Sequence, residues 1–472
     1  MNDQIQRSSK TVLPKLFLTQ PCASSVNNDA QVVLNDPLNG QEITYYQGNA
    51  TEFSVELYHH FPVILAVDGS PWRHAVLYLL HKLEAVNLPN SKTLESIASD
   101  LVMFRRFIDK NSIAYLDFPK RKLSRPTYRY RAELQQMIWD GDISPNTASR
   151  RMSSIIGFYR WLERQYDTNF EYPLWQDKEM FITFLDYKGF SQSKPVRSTD
   201  LAVPIPKQCD DYGEFIQDGG KLRPLSKKEQ LALVKSLKTI GNPEMTLAFL
   251  IALTTGARIQ TVFTLRLKHI LIKISDGQNN LPVYVGMGTA VDTKYQKKTT
   301  IFIPLWLHEQ LKIYVNSQRA QRRRELTKHQ FNSEQEQYAF LTRNGTPYYI
   351  ADSDPLLRTY RHPPRGVSVR KFIKAYLEPE LASLGTNLKF RFHDLRATFG
   401  LNLLEEKLNL VQQGNAKLLD VLMHVRNRMG HNNLSTTERY LEFRKKHDLA
   451  ISTQSEFEKH LMSLVEEGAH YE

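Results

Sequence analysis

The feature that most constrains this chain is a set of reactive side chains split widely along the sequence. Near the C-terminal end stand Phe390-Arg391-Phe392-His393-Asp394-Leu395-Arg396, then Met429-Gly430-His431, then Thr437-Glu438-Arg439-Tyr440. His393 and Arg396 have the spacing that shares one face of a helix. A second guanidinium, Arg258, lies far upstream in Thr254-Thr255-Gly256-Ala257-Arg258. A fold that uses these groups together must return the C-terminal segments to Arg258.

Two arginines, two imidazoles and a phenol suit the holding and attacking of a phosphodiester. Its transition state carries extra charge on the non-bridging oxygens. Arginine meets that charge with a planar fork of donors that keeps its proton; Arg258 and Arg396 are the candidates. Tyrosine attacks phosphorus once its proton is removed in an electropositive site. His393 is placed to take that proton and His431 to donate a hydrogen bond to the phosphate. The leaving alkoxide needs an acid, and Thr293-Lys294-Tyr295-Gln296-Lys297-Lys298 offers lysines on a loop. Each residue also has an ordinary reading: Arg258 as a cap or ion-pair partner, His393 as a core histidine, Tyr440 as packing beside Leu441 and Phe443. Their joint order favours a site over separate coincidences.

Composition agrees with a polyanionic partner. The chain of 472 residues has a formal net charge of +12 and a pI near 9.3. Nucleic acid is the first candidate and an anionic membrane the second. Cys22 and Cys209 are far apart and in polar contexts, which points to a reducing compartment and excludes a disulfide scaffold. The N-terminal residues lack the apolar core of a signal peptide, and no apolar run reaches membrane-spanning length. A cytoplasmic, nucleoid-associated protein is expected. No metal or cofactor is expected: His308-Glu309-Gln310 lacks a second histidine, Gly286-Met287-Gly288 lacks a third glycine, and His59-His60 lacks ligand partners.

Five regions follow from the patterning. Residues 1–87 have no assigned role beyond possible arm-DNA or partner binding. They show turn signals at Asn35-Asp36-Pro37 and Asn39-Gly40, strand-like alternation at Phe53, Val55 and Leu57, and a helix from Pro71 capped by Ser70. Residues 88–185 read as helical, with Leu94, Ile97, Leu101, Phe104 and Ile108 at helical spacing and a helix start at Ser144-Pro145. Arg105, Arg106, Arg150 and Arg151 are candidate DNA contacts there, within a basic group that includes Lys120, Arg121, Lys122, Arg125, Arg129 and Arg131. Residues 186–221 read as a linker. Residues 222–450 open with a capping box at Ser226 and Glu229. They continue with helices, a small antiparallel sheet over 270–304, a helix over 305–328, a hairpin turn at Asn344-Gly345 and helices again from 366. Residues 451–472 form a tail helix with an apolar stripe of Phe457, Leu461, Leu464 and Val465.

Thr255-Gly256-Ala257-Arg258, His393-Asp394-Leu395-Arg396-Ala397-Thr398-Phe399, Gly430-His431 and Thr437-Glu438-Arg439-Tyr440 resemble the signature boxes of the tyrosine recombinases, the phage integrase family. The resemblance covers about 222–450 and extends, more weakly, over 88–185, which is similar to the family's helical core-binding domain. It implies a mostly α fold: a core-binding domain plus an α-rich catalytic domain with a small antiparallel sheet, clamped around double-stranded DNA. It implies that Tyr440 attacks the scissile phosphate to form a 3′-phosphotyrosyl link. Arg258 and Arg396 would clamp the phosphate, His393 would move the proton, and His431 would hold the family's histidine-or-tryptophan position. Lys294 is the implied acid, with Lys297 and Lys298 as alternatives. It further implies a homotetramer on DNA with exchanged tails, accessory proteins, and the integrase or transposase of a bacterial mobile element. A topoisomerase-like nicking-closing enzyme and a non-catalytic DNA-binding protein stay open as alternatives.

Overall fold

A computed structural model of the chain describes residues 7–21, 31–35, 42–46, 53–84, 91–165, 168–185, 191–205, 214–274, 277–327 and 330–468. Cys22, Cys209 and the turn expected over 36–40 lie outside these residues. The chain divides into two compact units, Met1–Gln208 and Cys209–Glu472.

The first unit begins with four strands: β1 (Ser9–Pro21), β2 (Gln31–Asn35), β3 (Glu42–Tyr46) and β4 (Phe53–Leu65). β1 pairs antiparallel with β4 from Ser9↔Leu65 to Pro21↔Phe53, and β2 pairs with β3. Four helices follow: α1 (Arg73–Glu84), α2 (Ser91–Lys110), α3 (Pro126–Trp139) and α4 (Pro145–Gln165). Phe61 and Ile64 of β4 share one core with Trp72, Leu79, Leu101, Phe104, Phe158 and Tyr159. Residues on both sides of position 87 therefore stabilise each other by burying apolar surface together.

Two expectations fail here. The helix from Pro71 starts later, at Arg73. Asp68-Gly69-Ser70 makes a turn instead, in which the Asp68 carboxylate accepts from the Ser70 amide at 3.0 Å and its hydroxyl at 2.6 Å. Pro71 then bridges back to Leu65 and the Trp72 amide donates to Ile64 O, so this segment extends the sheet. Second, helix does not continue to 185. Residues Asp177–Leu185 form β5, paired antiparallel with β6 (Ser191–Thr199), inside the stretch read as linker. The run Met180-Phe181-Ile182-Thr183-Phe184 is rich in aromatic and β-branched residues, and once a partner strand is present its backbone groups pair across the hairpin.

The second unit opens on a short hairpin, β7 (Ile216–Gln217) and β8 (Lys221–Leu222). Next come α5 (Lys227–Ile240), α6 (Pro243–Thr255), α7 (Ile259–Phe263) and α8 (Leu267–Ile270). The capping box is present: the Ser226 hydroxyl accepts from the Glu229 amide and the Glu229 carboxylate from the Ser226 amide. Strands β9 (Asn280–Val285) and β10 (Thr299–Pro304) pair antiparallel, Thr299↔Val285 to Pro304↔Asn280. The sheet does not reach back to Ile270, Ile272 and Ile274. Ile270 closes α8, where its carbonyl accepts from His308 Nε2 at 2.7 Å, and Ile272 is exposed. Without a neighbouring strand, alternation alone makes no sheet.

The helix expected over 305–328 is two helices, α9 (Leu305–Asn316) and α10 (Gln318–Glu325). Ser317 separates them and caps the second by accepting from the Ala320 amide. The Asn344-Gly345 turn forms, with the Gly345 amide on Thr342 O and Leu341 bridged to Pro347. α11 (Val367–Phe372) runs through a π-helical turn, Ile373–Leu377, into α12 (Glu378–Ser383). The last helices are α13 (Asp394–Gln412), α14 (Leu418–Met429) and α15 (Leu434–Gly468). The tail is therefore not a separate helix: α15 carries Tyr440 and continues unbroken to Gly468. Phe457 and Leu461 on it are exposed, at 60% and 43%. Leu464 and Val465 lie outside the described side chains. The fold is mostly α with small antiparallel sheets, as expected. Among the described residues no helix is long and apolar enough to cross a membrane.

Candidate active site

Except for Tyr440, each reactive residue stands near the end of an element or in the turn beside one. Arg258 is the N-cap of α7, directly after the α6 terminus at Thr255. The turn between them needs Gly256, which has φ +69° and whose added Cβ would lie 2.6 Å from Phe399 Cδ1. His393 stands at the N-cap position of α13, without a side-chain capping bond, and Arg396 lies in its first turn. Gly430, at φ +64°, ends α14 and turns the chain into His431. Tyr440 lies inside α15 and is fully buried.

Arg396 organises the centre. Its Nη1 donates to Gly256 O at 3.0 Å and its Nη2 to Met429 O at 2.6 Å. These carbonyls close the C-terminal ends of α6 and α14, where the helix dipoles favour a cation. Its Nε donates to Asp218 Oδ2 at 2.8 Å. The same carboxylate oxygen accepts from His431 Nε2 at 3.1 Å and from Tyr440 Oη at 3.0 Å. Asp218 Oδ1 faces Arg258 Nη2 at 4.0 Å. His431 Nδ1 meets the Thr437 hydroxyl at 2.9 Å, so with Nε2 protonated toward Asp218 the neutral ring accepts from Thr437.

The charges follow from this geometry. Burial alone raises the Asp218 carboxyl, but the His431 hydrogen bond and the charges of Arg396 and Arg258 outweigh it and hold the group well below the usual carboxylate range. Burial, then the Asp218 charge, push the Tyr440 phenol well above its ordinary value, against the pull of Arg396 and Arg258. Burial and then Arg396 bring Arg258 down to about 10. Burial, then Arg258 and Arg396, bring His393 down to about 4, so its imidazole is neutral at pH 7. Burial lowers His431 more than Asp218 raises it.

Beside this centre a cleft of about 50 Å³ is lined by Arg258, Arg396, Arg428, Lys294 and Lys297 among others, and by no acidic residue. Lys294 and Lys297 stand on the loop joining β9 to β10, in which Tyr295 and Gln296 have φ of 60° and 53°. Lys297 Nζ donates to Gly430 O at 2.9 Å and to Asn432 Oδ1 at 2.6 Å, next to His431. Burial, then Arg426, Arg258 and Arg396, lower its pKa. Lys298 does not line the cleft.

The structure thus brings Arg258, Arg396, His431 and Tyr440 around one point, with His393 under the electrostatic influence of both arginines. It also adds Asp218, which the sequence reading passed over as linker. Its signal was the run Ile216-Gln217-Asp218-Gly219-Gly220-Lys221-Leu222, a turn between short strands.

Three of the four candidate DNA contacts of the first unit have local partners. Arg105 pairs with Asp109 at 2.9 Å, Arg106 Nε donates to Ser8 O at 2.7 Å, and Arg150 pairs with Asp100 at 2.5 Å. Arg151 Nη1 is buried. Of the wider basic group, Arg125 donates from each of its three guanidinium nitrogens, to the carbonyls of Pro119, Pro173 and Lys120. Among the described residues no group of three or more histidine, cysteine or acidic side chains is arranged to hold a metal.

Fold and site define a class: an α-rich unit with a small antiparallel sheet that gathers two arginines, a histidine and a buried tyrosine around one anion. Residues 223–447 match the phage integrase family model, and this region of the chain belongs to the phage integrase family. No curated protein matches the sequence. Similar solved structures include the Tn1549 transposon integrase in complex with circular intermediate DNA, at 15% identity over 78% of this chain and 94% of that one, TM-score 0.41. Another is a lambda integrase dimer bound to a COC′ core site, at 14% identity over 89% and 94%, TM-score 0.42.

Proposed function

We propose that this protein is a site-specific DNA recombinase that cleaves and rejoins double-stranded DNA through a 3′-phosphotyrosine link, as the integrase of a bacterial mobile element. The observation that carries the reading is the convergence of Arg258, Arg396, His431 and Tyr440 on a single anion. A phosphodiester at that point meets both guanidinium groups and the imidazole donor, with the phenol beside it. Tyr440 Oη bonds to phosphorus and the bond from phosphorus to the 5′ oxygen breaks. The phenolic proton passes to neutral His393. The 5′ oxygen takes a proton from Lys294, while Lys297 fastens the hairpin loop beside His431. Because the phosphotyrosyl bond conserves the energy of the broken phosphodiester, rejoining by a 5′-hydroxyl needs no ATP.

The net charge of +12 supports a DNA partner, and the first unit is proposed to add phosphate contacts. Assembly as a homotetramer on DNA, with α15 donating its exposed Phe457 and Leu461 to a neighbouring protomer, belongs to the same proposal.

The test is a nicked suicide duplex, whose cleavage releases a short strand and traps the covalent adduct. Wild type yields a protein–DNA adduct and Tyr440→Phe yields none. Equal absence from both means a non-catalytic DNA-binding protein. Adduct without strand exchange between two duplexes means a nicking-closing enzyme.

A further inference from the structure

We propose that Asp218 is an internal stand-in for the scissile phosphate, and that the tip of the β7–β8 hairpin must leave the site before DNA is cleaved. The inference rests on the recombinase reading of the same site. One carboxylate oxygen takes Arg396 Nε, His431 Nε2 and Tyr440 Oη, and the other faces Arg258. A non-bridging phosphate oxygen would take the same arginine and histidine donors. Two anions placed on one set of donors repel each other, so carboxylate and phosphate exclude one another.

Burial points the same way. Asp218 is 4% exposed and Tyr440 0%, so the attacking oxygen is closed off while the hairpin is seated. The Tyr440 hydroxyl also spends its proton on Asp218 rather than on a base that would release the oxygen for attack.

The hairpin is built to let its tip move while its base stays. Ile216 and Leu222 pair across its base, are each 1% exposed, and pack with Tyr440, Ala397 and Phe399. Between them Asp218-Gly219-Gly220 turns with Gly219 at φ +71°, and the Asp218 amide closes on Gly220 O at 3.1 Å. Arg439 donates to Gln217 O at 2.9 Å and Arg391 to Lys221 O. Two glycines after the aspartate supply the backbone freedom that a lifting tip needs. Lys294 Nζ lies 3.2 Å from the place a Gly219 Cβ would take, so the seated tip stands directly beside that lysine. Since Arg396 and Arg258 keep their charge, Asp218 stays ionised at neutral pH, and competition by DNA phosphate, rather than protonation, releases it.

The opposite reading makes Asp218 a positioning residue that the reaction needs, and the two differ in sign. In single-turnover cleavage of a pool of nicked duplexes of randomised sequence, Asp218→Asn and Asp218→Ala should form the Tyr440 adduct faster than wild type. The gain is on the order of tenfold at subsaturating DNA, and Asp218→Glu should stay at or below the wild-type rate. Equal or slower cleavage by folded Asp218→Asn and Asp218→Ala overturns the proposal. A wild type with no Tyr440-dependent adduct refutes the recombinase reading instead. An arm independent of catalysis then decides the hairpin: in Tyr440→Phe, excess randomised duplex should speed hydrogen exchange at 216–222. Unchanged or slower exchange there, with binding confirmed by gel shift, overturns the proposal also for variants that fail to fold.

Discussion

Gly400 and Tyr440 compete for one space: a Cβ on Gly400 would lie 2.6 Å from Tyr440 Cε1 and 2.9 Å from Met429 Cε. The glycine is helical, in the second turn of α13, so its role is to admit the tyrosine ring against the helix that carries Arg396. Gly400→Ala gains about 1 kcal/mol of helix propensity. It loses about 1–3 kcal/mol to overpacking, and the ring has to shift away from Arg396. The expected result is a lower Tm and slower adduct formation. A raised Tm with unchanged cleavage would show that the ring relaxes freely.

Arg150 tests whether the basic residues of the first unit hold DNA or hold the fold. Its partner Asp100 is 2% exposed and also accepts from Ser154 at 2.8 Å. Arg150→Ala leaves that carboxylate short of a donor and raises it further above its ordinary pKa, which burial already raises. Because Arg150 is half exposed, the expected loss is discounted to about 2 kcal/mol. Urea unfolding measures it. Unchanged stability with weakened, less salt-dependent DNA binding would make Arg150 a phosphate contact instead.

His393 gives a pH signature. Its folded pKa of about 4 lies below the ordinary 6.5, so between these values the unfolded chain binds the proton that the folded chain refuses. Stability from this group is therefore lost as pH falls through 6.5 toward 4. His393→Gln removes that loss, so the gap in stability between wild type and variant should shift by about 3 kcal/mol in favour of the variant between pH 7 and pH 4. A parallel pH dependence in both proteins would contradict the neutral, buried state assigned to His393.

The two lysines separate by leaving-group chemistry. Lys294→Ala should slow cleavage of ordinary DNA by on the order of a hundredfold. A 5′-thiolate leaving group, which needs no acid, should restore the rate. Lys297→Ala removes the donor to Gly430 O and Asn432 and should not be rescued that way. Rescue of Lys297→Ala instead would transfer the acid role to the lysine whose pKa is lowered by Arg426, Arg258 and Arg396 after burial.

Much of the second unit was legible because its boxes coincide with element ends. The Thr-Thr-Gly-Ala-Arg run stops one helix and starts the next, and Gly430 stops another before His431. Such capping signals are local, so the residues alone reveal them. Asp218 was not legible, because its meaning comes from Arg396 and Tyr440, 178 and 222 positions away. The β5–β6 hairpin and the Pro71 bridge were missed for a related reason: strand pairing depends on a partner that no local window contains. At Ile270, Ile272 and Ile274 the error ran the other way, as alternation suggested a strand with no partner beside it.

The central claim is that Tyr440 forms a covalent bond to DNA. Incubating wild type and Tyr440→Phe with a nicked, end-labelled suicide duplex and resolving the products under denaturing conditions measures this directly. Wild type should give a labelled adduct of slower mobility, mapped by mass spectrometry to Tyr440, and the variant none. No adduct from a folded wild type that binds the duplex, or the same adduct from both proteins, would contradict it.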